Sequence, residues 1–344
     1  MIVNIKLPNN ISYDITIDTL KELTFDRKVV VVTNPTVSGF HLEYFKNKIK
    51  SNNLSIVTIP DGEEYKNMET VDMILEHCFE NRLNRKSLLV AFGGGVIGDM
   101  TGFCASIYQR GIDFIQVPTT LLSQVDASVG GKTGVNNKFG KNLIGAFHQP
   151  RAVYIDPYFL STLPKREFGA GIAEIVKMAV TFNKEFFEWI ESHDLYDEEN
   201  IKVAIKKSVE TKAWVVSQDE KENGIRAALN YGHTFGHVVE NETKYSKYLH
   251  GEAVGIGMIM ANEVSKKIGL MSSEDALRVK NVLEKYNIPT SYKINDVEDF
   301  YEHFFLDKKS LDDKIKFILP VGIGDCKITD EVSKTDVIDV LKGF

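Results

Sequence analysis

Cysteine is scarce in this chain. Of 344 residues only Cys78, Cys104 and Cys326 are cysteines, too far apart for a C-x-x-C pair. They are expected to be ordinary reduced thiols in a cytoplasmic protein, with no disulfide framework. Basic charge is not in excess either: 41 Lys and Arg stand against 48 Asp and Glu, a net charge of −7. A nucleic-acid partner, which calls for a basic surface to release counterions, is therefore not expected, although a local basic pocket for a small anion is compatible with that balance. No apolar stretch reaches the roughly 18 residues of a membrane-spanning helix. The opening MIVNIKLPNNISYDITIDTL alternates as strands do and lacks the basic and apolar regions of a signal peptide. Internal repeats and low-complexity segments are absent. So is H-E-x-x-H, because Thr234 and not glutamate follows His233 in HTFGH, and a metalloprotease is not supported.

What is present describes a globular α/β protein. At 43% apolar and 26% charged the composition is that of a folded protein, and the length exceeds what one core usually spans. Two domains are expected, an α/β domain over 1–157 and a mainly helical domain over 158–344, with the boundary at Asp156-Pro157. In the first part KVVVVTN (28–34), LSIVTIP (54–60), SLLVAF (87–92), FIQVPT (114–119) and AVYID (152–156) read as buried strands. HLEYFKNKIKS and residues 61–84 carry helical spacing between them. Strands separated by helices imply a parallel sheet whose ligands sit at the carboxyl ends, here Asn34, residues 61–66, residues 93–99, Thr119 and Thr120. After residue 158 the patterns are helical, apart from one short hairpin expected over 314–329.

Three groups of residues carry chemistry. Gly93, Gly95 and Gly98 in GGGVIGDMTGF satisfy G-x-G-x-x-G between a strand and a helix, where missing side chains let backbone N–H groups approach a pyrophosphate. The polar, glycine-rich stretch that follows, to residue 150, reads as a long binding loop. Second, NYGHTFGH sets His233 and His237 four apart on one helix face, and LHGEAVGIGM opens another helix with His250 followed by Glu252. A catalytic divalent metal takes three such ligands, and Glu174, in the small-residue helix GAGIAEIVKMA, is the best carboxylate to join them. Third, Arg110, Lys132, Lys141 and Arg226 lie in glycine-rich or loop surroundings, and Lys177 stands three residues after Glu174. With Lys212, Asn230 and His237 they make a cationic set suited to a phosphate and a carboxylate.

Taken together, GGGVIGDMTGF, RGIDFIQVPTTLLSQVDASVGGKTGVN, GKNLIGAFHQP, AGIAEIVK, LNYGHTFGHVVE and LHGEAVGIGM resemble the 3-dehydroquinate synthase family of sugar phosphate cyclases, in order and in spacing. The resemblance implies an N-terminal Rossmann-like α/β domain and a C-terminal mainly α-helical metal-binding domain, with NAD and a divalent metal, zinc or cobalt, in the cleft. It implies a homodimer acting on a phosphorylated heptulosonate, a small-molecule substrate. The implied reaction converts 3-deoxy-D-arabino-heptulosonate 7-phosphate to 3-dehydroquinate and phosphate in the shikimate pathway. Its steps would be transient NAD-dependent oxidation at C5, β-elimination of phosphate, re-reduction, ring opening and aldol closure. By motif, the implied metal ligands are Glu174, His233 and His250. The implied NAD contacts are Asn34, Glu63, Lys66, Gly94, Gly95, Val96, Asp99, Thr119, Thr120, Lys141, Thr162 and Leu163. Implied substrate contacts are Asp126, Lys132, Asn142, Lys177, Lys212, Glu222, Arg226, Asn230 and His237, with Arg110 reaching the neighbouring subunit's site and Lys308 or Lys309 adding a further cation. Another sugar-phosphate cyclase, a metal-dependent polyol dehydrogenase and a non-enzymatic NAD-sensing module are the alternative readings. Only a dehydrogenase would accumulate NADH.

Overall fold

A computed structural model describes residues 1–7, 11–307 and 315–344. Lys308 and Lys309 lie outside the described residues. The chain divides into two compact units, Met1–Leu163 with Lys212–Glu220, and Pro164–Thr211 with Lys221–Phe344.

The first unit is built on a seven-stranded sheet. Its strands are β1 (Ile2–Lys6), β2 (Ser12–Ile17), β3 (Leu23–Thr33), β4 (Ile49–Thr58), β5 (Leu88–Gly93), β6 (Asp113–Pro118) and, after a separate hairpin of β7 (Lys132–Asn137) and β8 (Gly140–Phe147), β9 (Ala152–Ile155). The spatial order is β1-β2-β9-β6-β5-β3-β4, parallel throughout except for β1 against β2. Alternation along the central strands sorts the core onto two faces. Val30, Val32, Leu89 and Ala91 meet Val71, Ile74, Met100 and Cys104 of α2 (Met68–Glu80) and α3 (Gly95–Ile107). Val29, Val31, Leu88, Val90 and Phe92 meet Val37 and Phe45 of α1 (Pro35–Lys46) and Phe159. Phe45 stacks on Phe92 with ring centroids 4.1 Å apart. Each of these strands is covered on both sides, which is why its sequence is continuously apolar.

Two sequence expectations change. The apolar runs at 28 and 54 mark only the later parts of β3 and β4. The strands begin at Leu23 and Ile49 and pair there as Leu23 with Ile49, Thr24 with Lys50 and Phe25 with Ser51, with an irregularity between Phe25 and Lys28, and the helix expected to reach residue 51 stops at Lys46. Only isolated apolar residues mark this part of the two strands, so it carries no continuous hydrophobic run. Likewise, part of the glycine-rich stretch expected as a loop is the antiparallel β7–β8 hairpin, where Gly134 faces Gly145. A Cβ on Gly134 would lie 2.6 Å from the Ile144 carbonyl oxygen, so the close pairing depends on bare backbone there.

The second unit is helical. α4 (Lys165–Phe182), α5 (Lys184–Ser192), α6 (Glu198–Gln218), α7 (His233–Glu242), α8 (His250–Lys267) and α9 (Ser273–Lys285) precede a short antiparallel hairpin of β10 (Phe317–Pro320) and β11 (Cys326–Thr329). The last residues of α6, from Lys212, cluster with the first unit. Asn183 and Ser272 cap α5 and α9 by accepting from backbone N–H groups.

Candidate nucleotide and metal sites

In the first unit the nucleotide candidates gather at the carboxyl ends of β3 to β6. α3 opens directly after β5, and its cap, Gly94, supplies no side-chain hydrogen bond to the first N–H groups. A Cβ on Gly93 would fall 2.5 Å from Ile97 Cγ1, and one on Gly98 2.6 Å from Gln116 Oε1. Gly93 is therefore needed for the close turn into α3, whereas at Gly98 the end of the Gln116 side chain would have to shift. Gly94, Gly95 and Val96 are half-exposed, and their backbone is open to an anion at the helix start.

Polar side chains surround that turn. Asn34 caps α1 through Oδ1 to the Val37 N–H (2.8 Å), and its Nδ2 donates to Asp61 (2.7 Å), which also accepts from the Thr36 hydroxyl (2.6 Å). Lys66, buried, donates to Asp99 (2.6 Å) and to Asn142 Oδ1 (2.5 Å). Burial alone would lower the Lys66 pKa, but the neighbouring Asp99 and Glu63 carboxylates outweigh it and hold the ammonium above its ordinary value. Asn142, in the left-handed region at φ 56°, donates its N–H to Asn136 Oδ1 (2.9 Å), and Asn136 donates to Glu63 (2.8 Å). The Thr119 N–H returns to the Gly93 carbonyl (3.0 Å), and Thr120 bonds Ser123 (2.9 Å). Lys212 donates to the Asp126 carboxylate (2.7 Å). Thr162 is exposed and shares a 2.7 Å hydrogen bond with the buried His41, while Leu163 and Lys141 are half-buried and Lys132 is exposed. Asp61 falls in the 61–66 turn expected at a strand end, whereas Asn136 and His41 carry no sequence signal, because their importance lies in partners distant along the chain.

The metal candidates belong to the second unit, and glycine brings their helices together. A Cβ on Gly251 of α8 would strike the backbone of Ala170 in α4, and one on Gly257 would strike the Gly232 carbonyl just before α7. One on Gly236 of α7 would come within 2.8 Å of the Ala253 carbonyl oxygen. α4, α7 and α8 thus meet backbone to backbone, and each carries one candidate ligand inward. The Nε2 atoms of His233 and His250 each lie 3.9 Å from Glu174 Oε1.

Protonation suits a cation. Glu174 is 1% exposed, neither of its oxygens accepts a hydrogen bond, and the charge against it is the buried Lys177 ammonium, ion-paired with Oε2. His233 Nδ1 lies 3.3 Å from the Tyr231 carbonyl, which can only accept, so Nδ1 carries the proton and Nε2 is bare. Burial first, then the Lys177 charge and the neighbouring His250 and His237, hold His233 well below its ordinary pKa and keep the ring neutral. A buried carboxylate without hydrogen bonds, facing two imidazole Nε2 atoms, is the donor set of a divalent site. His237, Glu240 and His250 form a second close trio that shares His250, and Glu242, Asp299 and His303 form a third, which includes an exposed residue. Close by in sequence, Asn230 donates to Glu222 (2.5 Å), and Arg226, 2% exposed, lies on the turn Ile225–Asn230. Arg110 is exposed, at φ 69° beyond the end of α3.

Comparison with known proteins agrees with this arrangement. Residues 56–170 match the family described as 3-dehydroquinate synthase N-terminal, and residues 171–310 that described as 3-dehydroquinate synthase C-terminal. The chain is 68% identical over 333 residues to the 3-dehydroquinate synthase of Sulfurimonas denitrificans, covering 97% of this chain and 95% of that one. Among solved structures, 2-epi-5-epi-valiolone synthase from Streptomyces hygroscopicus subsp. jinggangensis, with NAD+ and Zn2+ bound, superposes with a TM-score of 0.87 at 27% identity over 98% of each chain. A 2-deoxy-scyllo-inosose synthase complexed with carbaglucose-6-phosphate, NAD+ and Co2+ gives 0.86 at 27% identity over 100% of each. With both halves matched and two thirds of its residues shared with a full-length relative, the chain belongs to the 3-dehydroquinate synthase family.

Proposed function

We propose that the chain converts 3-deoxy-D-arabino-heptulosonate 7-phosphate to 3-dehydroquinate and inorganic phosphate, with NAD and a divalent metal, zinc or cobalt, as resident groups. The observation that carries this reading is the buried Glu174 carboxylate facing the Nε2 atoms of His233 and His250, in a chain 68% identical to a synthase of that name. When bound, NAD supplies a reversible hydride acceptor and the metal polarises the oxygen it touches.

The chain's own residues supply placement and charge. Gly94, Gly95 and Val96 offer backbone N–H groups to the pyrophosphate, and Lys66, held charged beside Asp99, adds a fixed cation. Glu174, His233 and His250 hold the metal. Lys177, ion-paired with Glu174, presents a cation where substrate oxyanions arrive. Arg226, with its planar fork, suits the substrate carboxylate or phosphate, and His237 with Asn230 stands near the leaving group. Residues 1–157 serve as the nucleotide-binding domain and 158–344 as the metal- and substrate-binding domain. The protein works as a cytoplasmic homodimer in which Arg110 serves the neighbouring site. The three cysteines are free, and among the described residues no helix is long and apolar enough to cross a membrane.

The deciding assay supplies purified protein with the heptulosonate phosphate and catalytic NAD, and follows inorganic phosphate and absorbance at the NADH band. Stoichiometric phosphate without net NADH is expected. Net NADH without phosphate would make the chain a dehydrogenase and end this reading.

A further inference from the structure

His250 has two ring nitrogens, and the structure gives each a carboxylate. Nε2 faces Glu174 at 3.9 Å, and Nδ1 lies 3.4 Å from Glu240 Oε2. Glu240 is 3% exposed and stands on α7, three residues after His237 and seven after His233, so all three share one helical face. A carboxylate buried to that degree is costly unless it has charged or hydrogen-bonding neighbours, and His250, on a different helix, is one of them.

We infer that Glu240 is a positioning residue for the metal centre. It accepts the Nδ1 proton of His250, fixes that tautomer, and leaves the Nε2 lone pair directed at the place Glu174 and His233 also face. His233 obtains the same tautomer from the Tyr231 carbonyl, a neutral acceptor. The two histidines therefore differ in the acceptor behind the ring, a carboxylate for His250 and a backbone carbonyl for His233. This inference rests on the metal reading given above. The rival geometry, in which Glu240 itself binds the ion with His237 and His250, makes different predictions.

The test uses the full chain freed of metal and titrated with Co2+ in competition with a chelator, with the visible absorption spectrum of bound Co2+ recorded at saturation. Wild-type protein is expected to bind one Co2+, and His233→Ala to bind none. Glu240→Gln, which keeps the shape and an acceptor oxygen but loses the charge, is expected to weaken Co2+ about 10-fold, and Glu240→Ala nearer 100-fold, each with the wild-type spectrum at saturation. If Glu240→Gln, folded by circular dichroism, binds Co2+ as wild type does, Glu240 does not position His250. If it abolishes binding as His233→Ala does, or changes the spectrum, Glu240 is a ligand and the positioning role is wrong. A wild-type chain that takes up no Co2+ would sink the metal reading itself. Glu240→Gln is nearly isosteric, so the outcome holds even where Glu240→Ala fails to fold.

Discussion

The two candidate sites hold charge in opposite ways. In the first, Lys66 is matched by Asp99, Lys212 by Asp126, and Asn34 by Asp61, and what is left open is the backbone of Gly94, Gly95 and Val96. In the second, the oxygens of Glu174 accept no hydrogen bond although the residue is 1% exposed. Leaving a buried carboxylate in that state is expensive, and Lys177 offsets only part of what two or three hydrogen bonds would give. The contrast teaches that the candidate nucleotide site pairs its charged side chains from within, whereas the candidate metal site is built around a carboxylate that no hydrogen bond satisfies. The second should therefore be the more sensitive to loss of a ligand.

Removal at the metal half should have the largest effect. His233→Ala, or Glu174→Gln, is expected to lose the stoichiometric ion and to cut turnover by more than the roughly 100-fold upper range for an outer-shell partner, with NAD affinity unchanged. Metal analysis, phosphate release and an NAD titration on one preparation check it. Full turnover with bound metal in His233→Ala would erase the contrast. Addition comes next. Gly236→Ala sets a Cβ 2.8 Å from the Ala253 carbonyl oxygen, rigid backbone on both sides. A loss of about 1–3 kcal/mol is expected from such overpacking, read by denaturant unfolding, together with weaker Co2+ binding although no ligand has changed. Its counterpart, Gly94→Ala, places a Cβ 3.2 Å from Thr120 Cγ2, so stability should move little while NAD binding falls. Lys66→Met tests whether the pairing in the first unit matters to the fold. Asp99 would lose its ammonium, but its side chain is 22% exposed, so about 2 kcal/mol is expected, below the 3–5 kcal/mol of a fully buried pair. Equal stability of the variant and wild type would show that the pair serves binding alone.

What could be read without coordinates follows the same division. The glycine turn is local: strand, turn and helix lie within about twenty residues, and the spacing alone announces them. His233 and His237 at i, i+4 and the small residues around Glu174 were legible for the same reason. Contacts between distant segments left no trace. Lys66 reaches Asn142 across 76 positions, and nothing at either residue names the other. The β7–β8 hairpin was hidden because its glycines and asparagines pair by backbone, without the alternation that marks a half-buried strand. Glu240 sat in view, seven residues after His233, but its meaning depends on α8 lying against α7, a consequence of bare backbone at Gly236 and Gly257.

The smallest expected effect separates the two buried imidazoles. His41 and His233 are both held below their ordinary pKa, with burial the leading cause in each. His41 differs in partner: its Nε2 is hydrogen-bonded to Thr162, and aromatic rings of Tyr158 and Phe159 pack around it. A histidine whose folded pKa lies below 6.5 binds its proton later than the unfolded chain does, so below that pH the unfolded state carries more protons. Stability therefore falls as pH drops from 6.5 toward the folded pKa, and above 6.5 the term vanishes. His41→Gln keeps a hydrogen-bonding group for Thr162 and removes the titration. Between pH 7.5 and 5.5, urea unfolding of metal-free protein should show wild type losing more stability than the variant, by at most about 1.4 kcal/mol, since one pH unit below the reference is worth that much for one group. Parallel slopes would mean that His41 takes up its proton without penalty in the folded state. The first unit would then tolerate an added charge after all, and the contrast with the second would rest on Glu174 alone.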